Sequence, residues 1–169
     1  KYWDMPGFVV GGVAFSNLNL VFGNEDTWAL LGSIPPPGGD FTQRLLFSGV
    51  GCADPRSIVA TSQHAIWANT TGVFKTDGVS LTDLTEEAGI SLFWRDMMAG
   101  FKYTDNWIAA GGFFKGNYFI SVHDNNGALK GTLLFDLNRL GWVEFTNFGV
   151  AAYAQRSASQ GTSTAVGDE

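Results

Sequence analysis

Two histidines, one cysteine and 16 carboxylates are the side chains here that could ligate a metal, relay a proton or attack a carbonyl. His64 and His123 fall in expected hairpin turns of different units, and neither has a ligand-spaced Cys, His or carboxylate beside it, so a zinc site is not expected. No Gly-x-Ser-x-Gly elbow occurs to present a nucleophile. Cys52 stands alone between Gly51 and Ala53, which excludes an intrachain disulfide and suits a buried, inert thiol. Asp124-Asn125-Asn126-Gly127 is rich in oxygen like a calcium loop, yet it lacks the Glu that completes an EF-hand and lies where a hairpin turn is needed. Asp83, Glu86, Glu87 and Asp96 form the densest acidic cluster. Glycoside cleavage needs two carboxylates facing each other about 5–9 Å apart across a pocket, whereas a solvated connection accounts for these four without one. Gly11-Gly12 and Gly111-Gly112 lack both the following Lys-Ser/Thr and the helix that make a phosphate loop. Asn69-Thr70-Thr71 is a glycosylation sequon, with meaning only in a secretory pathway, of which the sequence carries no sign. Trp28, Trp67, Trp94 and Trp107 could stack on sugars, although filling gaps between sheets is their expected use. No catalytic, cofactor-binding or metal-ligating residue is therefore expected, and the chain reads as a non-enzyme.

The elements that would position these residues are strands. The 169 residues include 22 Gly, 14 Phe, 6 Trp and 4 Tyr with only 15% charged, a combination of turn-forming and strand-forming residues that points to an all-β fold. Residues 107–148 organise the rest: Trp107–Phe114, Tyr118–Val122, Thr132–Leu137 and Trp142–Phe148 read as four short strands. The turns between them, Lys115–Asn117, His123–Gly127 and Asn138–Gly141, each offer Gly or Asn for positive φ. Such a meander of about 40 residues is the unit of a β-propeller, or half of a sandwich. Within it, Phe135-Asp136-Leu137-Asn138-Arg139-Leu140-Gly141-Trp142 places an Asp to hold a turn and a large aromatic to cover the gap to the next sheet.

A second unit of the same shape spans strands at 57–62, 65–69, 73–76 and 80–84, with Asp77-Gly78 a strong hairpin signal. Residues 1–56 read as N-terminal strands and a partial blade: two or three short strands before Asn24-Glu25-Asp26, then Thr27–Ile34 and Phe41–Phe47 on either side of Pro35-Pro36-Pro37. Those prolines cannot donate to a ladder and belong to a stiff loop. Between the second and third units, Leu92–Met98 is expected as one short helix or an extended connection. The domain reading is thus 1–56, 57–106 as blade and connection, 107–152 as blade, and 153–169 as a polar, low-complexity tail or linker. A ring needs at least about four blades, so more chain, further copies or an open sandwich would have to complete the fold.

Net charge is −6 and Lys plus Arg number 10, so no basic stripe is available for phosphate contacts and direct nucleic-acid binding is not expected. No run reaches the ~18 apolar residues of a membrane helix, and Lys1-Tyr2-Trp3-Asp4 opens neither with Met nor with a signal-peptide pattern, as expected of a mature product or part of a longer one.

The stretches His64–Gly78, Trp107–Val122 and Phe135–Trp142 resemble β-propeller proteins of tailed-bacteriophage virions, the tail, nozzle or hub-like components, over roughly residues 57–148. The resemblance implies a non-enzymatic structural role in several copies, partnered by other virion proteins and by copies of itself. It also implies a virion location after assembly in the host cytoplasm, and it brings no cofactor and no catalytic residue to carry over. A glycan- or host-receptor-binding module is the alternative. A propeller glycoside hydrolase ranks third, because the Ser-x-Asp-x-Gly-x-Thr-Trp box is missing.

Overall fold

The computed structural model describes residues 7–16, 18–32, 38–101, 108–124, 126–146 and 148–150. It is all-β, built of three four-stranded antiparallel sheets in which each strand pairs with its neighbour in sequence. The first sheet holds β1 (Val9–Phe15), β2 (Leu18–Gly23), β3 (Thr27–Leu31) and β4 (Thr42–Phe47). The second holds β5 (Val59–Ala60), β6 (Ala65–Ala68), β7 (Val73–Thr76) and β8 (Leu81–Asp83). The third holds β9 (Ile108–Phe114), β10 (Asn117–His123), β11 (Leu129–Asp136) and β12 (Gly141–Phe145).

The sheets stack like blades because period-two patterning gives the middle one two apolar faces. Along β6, Ala65 and Trp67 join a core with Phe15, Leu20, Phe22 and Ala29 of the first sheet. The intervening Ile66 and Ala68 join a core with Tyr118, Ile120, Val122, Leu133 and Phe135 of the third. A single four-residue strand thereby serves both joints.

Three expectations are corrected. The first 56 residues hold a complete four-stranded blade rather than part of one. The strand expected over 57–62 shrinks to Val59–Ala60, because Asp54 caps a 3-10 turn at Pro55–Ser57, its carboxylate accepting the Arg56 amide. The last strand ends at Phe145 rather than Phe148, since the chain there turns across the sheet and the Thr132 hydroxyl donates to the Phe148 carbonyl. Between the second and third sheets lie two helices, α1 (Leu84–Glu87) and α2 (Ser91–Met97). Asp83 caps α1 by accepting the Thr85 and Glu86 amides. The expected helix over 92–98 is α2, which buries Trp94 and Met97 in the second core. Pro35-Pro36-Pro37, Trp107 and the 153–169 tail lie outside the described residues.

Candidate functional site

The polar side chains singled out in the sequence are dispersed, and most are occupied by their own backbone. Asp136 accepts the amides of Asn138 and Arg139 at 2.9 and 3.2 Å, holding the turn before Trp142. Asp124 accepts those of Asn126 and Ala128, so the oxygen-rich loop is a hairpin turn with its carboxylate committed. The amides of Ser80 and Val79 hold the Asp77 carboxyl down to about 2, far below the usual range. Of the acidic cluster, Asp83 is the α1 cap, and Glu86 and Glu87 belong to the single turn that it caps. Among the described residues no group of three His, Cys, Asp or Glu could hold a metal ion.

Cys52 is fully buried, and desolvation pushes its thiol up to about 12 despite hydrogen bonds to Ser57 and the Asp54 carbonyl. A thiol so protonated is a poor nucleophile at neutral pH. Burial also pushes the His64 imidazole down. His123 closes β10 with a buried, unpartnered Nδ1, and His64 opens out of the β5–β6 turn on another sheet. The sequon is closed to modification, because Asn69 is buried and its Oδ1 accepts from the Thr71 amide, the Thr71 hydroxyl and the Gly72 amide.

The tryptophans divide by the sheet spacing. Trp67 and Trp94 are fully buried, their indoles donating to the Gly51 and Asn69 carbonyls at 3.0 Å each. Trp142 leans on Phe135, ring centroids 4.8 Å apart, and donates to the Leu84 carbonyl, covering the gap as its place after Asp136 leads one to expect. Trp28 alone of the four described looks away from both cores, in a cross-strand row with Val21 and Leu45, and its indole nitrogen is buried without a partner.

Two surfaces remain to be weighed. The first is a cleft of about 400 Å³ between the β2–β3 and β6–β7 turns, lined by Asn24, Glu25, Asp26, Ser48, Asn69 and Thr71 among others. It has no aromatic wall, and Asn24, Asp26 and Asn69 spend their side-chain oxygens on the Phe8, Gly49, Thr71 and Gly72 amides. A sugar would find neither a stacking platform nor many free acceptors there. The second comprises the outer faces of the first and third sheets. Cross-strand pairing places Gly12, Val21, Trp28 and Leu45 in one row of the first. Gly112, Phe119, Leu134 and Val143 form a row of the third, with Ala110, Ser121, Thr132 and Phe145 beside it. Phe114, Val143, Phe145 and Phe148 are exposed large apolar side chains on or beside that last face. Periodicity alone misses these faces, because outer and inner rows are equally apolar.

Neither the protein-family models nor the curated proteins contain a match to this chain.

Proposed function

We propose that this chain is a non-enzymatic structural component of a bacteriophage virion, of the tail, nozzle or hub kind. The observation that carries the reading is the pair of apolar outer sheet faces at the two ends of a propeller-like stack. A chain built to be continued on both sides suits an assembly part better than a self-contained enzyme. The polar groups agree with it: carboxylates hold turns, and the thiol is buried and protonated. The resemblance of residues 57–148 to phage propeller proteins supplies the virion. Net charge of −6 fits a wall that lets a polyanion pass without holding it. Of the tryptophans that could have stacked on a sugar, Trp67 and Trp94 are spent inside the stack, which weighs against a glycan-binding module.

Imaging the native particle without dissociating it tests this reading. Several copies arranged about a tail axis are the expected result. Copies found only free of particles, or a hydrolytic activity on glycans, would overturn it.

A further inference from the structure

The hairpin that joins β10 to β11 carries, at Asn126-Gly127, the one Asn of the sequence that is followed by Gly. In such a pair the Gly amide nitrogen can close a five-membered ring on the Asn side-chain carbonyl carbon, because the second residue has no side chain to stand in the way. Asn is a chemically labile residue for this reason. Local structure decides whether the pair is open to that chemistry.

Asn126 is exposed, and its side-chain amide has no hydrogen-bond partner among the described residues. Gly127 takes a φ of 80°, and nothing lies within 4 Å of the place a Cβ would occupy. The carbonyl under attack and the departing nitrogen both meet water. The nucleophile is the guarded member: the Gly127 amide donates to the Asp124 carbonyl at 2.9 Å. The Asp124 carboxylate pins the same turn by accepting the Asn126 and Ala128 amides at 2.9 Å each. The tip must therefore open before the ring can close, and an exposed turn held by these few bonds opens locally, without its sheet.

Asp77-Gly78, in the β7–β8 turn, is the contrasting case. The Gly78 amide is buried and donates to the Thr76 hydroxyl at 2.9 Å, and the Leu18 Cδ1 stands 2.5 Å from the place of a Cβ. The Asp77 carboxyl, held down to about 2 by the Ser80 and Val79 amides, is ionised and a poor electrophile. Two turns that look alike in sequence thus differ in reactivity.

We infer that Asn126-Gly127 is a site of spontaneous deamidation and that Asp124 sets its rate. The Gly127 nitrogen bonds to the Asn126 Cγ, the Cγ–Nδ2 bond breaks, and the Gly127 proton passes through water to Nδ2, which leaves as ammonia. Water then opens the succinimide at either carbonyl, leaving aspartate or isoaspartate at position 126. One water is consumed, one ammonia is released, and a negative charge is gained beside Asp124. Isoaspartate also lengthens the main chain inside the turn, next to the His123–Leu129 pair against which Gly149 lies. The site stands independently of the assembly reading.

The test incubates the full chain at mildly alkaline pH and follows the tryptic peptide of residues 116–130 by mass spectrometry with fragmentation. Conversion is expected at Asn126, as both isomers with isoaspartate in excess, while Asp77 stays unisomerised. Asp124→Ala, with an unchanged circular dichroism spectrum, should convert several-fold faster. Asp124→Ser, which keeps a hydroxyl acceptor, should fall between that variant and the wild type. An Asn126 that stays intact in the folded chain while the same chain in denaturant converts would overturn the site, since the turn would then never open far enough. Equal rates in wild type and Asp124→Ala would overturn the role of Asp124.

Discussion

Asp136 shows how little a side chain must do to set a blade. Its carboxylate holds two turn amides, the turn delivers Trp142, and Trp142 closes the gap beside α1. Asp136→Ala should lower stability by about 1–3 kcal/mol in a denaturant titration, and an unchanged midpoint would mean that the turn stands without it. Cys52 makes a second residue-scale case. Burial pushes its folded-state pKa up to about 12, from 9.0 for an unburied thiol, so the neutral thiol contributes stability that is fully present below pH 9 and is lost as pH rises toward 12. Within that window the wild type should lose about 1.4 kcal/mol per pH unit more than Cys52→Ala, since unfolding releases the thiol proton. Equal slopes for the two proteins would show that the thiol does not titrate on unfolding. The Asx turns were legible in the sequence because Asp followed by Gly or Asn has a local mechanism. The burial of Asn69 was not, because it depends on Trp94, whose indole caps the Asn69 carbonyl from 25 residues away.

At the scale of elements, the joints are made by aromatic side chains whose polar tips reach a carbonyl of another segment. Tyr118 on β10 is fully buried and donates to the Ser57 carbonyl at 2.8 Å, tying the third sheet to the turn that opens the second. Beside it the Asp54 carboxylate accepts the Ala109 amide at 3.2 Å while paired with Arg56 at 2.8 Å. Gly111 lies against the same place, where an added Cβ would come within 2.7 Å of the Ser57 carbonyl oxygen. Of the two glycines that fail as a phosphate loop, Gly111 is thus explained by close approach of two backbones. Tyr118→Phe leaves the Ser57 carbonyl unsatisfied and should cost about 1–3 kcal/mol; thermal unfolding at wild-type temperature would show that water replaces the phenol. Strand positions were legible from alternation and turn residues over β6, β7, β9 and β10. The likeness of the first and third sheets was not, because the connection after β3 contains the triple proline whereas that after β11 is a short turn, and the spacing no longer repeats. Only register brings Thr27, paired with Phe22 and Phe47, into correspondence with Thr132, paired with Ser121 and Phe145.

For the whole molecule, the decisive feature is that the smallest sheet is the shared one. β5 to β8 have two to four residues each, too few to stand alone, and their two faces belong to different cores. An opening of either joint removes half the burial that keeps the middle sheet formed, and with it the surface against which the other joint packs. The stack is therefore expected to unfold as one unit despite its repeat construction, in which neighbours alone are in contact. Trp67→Phe makes the test. It leaves the Gly51 carbonyl without its donor and a gap beside Phe22 and Phe74, whose ring centroids lie 4.9 and 6.1 Å from the indole, and should cost about 2–4 kcal/mol. Native-state hydrogen exchange should register that loss equally in the amides of β2, at the altered joint, and of β10, at the distant one. If β10 kept its wild-type protection while β2 lost it, the two joints would be independent and the three sheets would be beads rather than one stack.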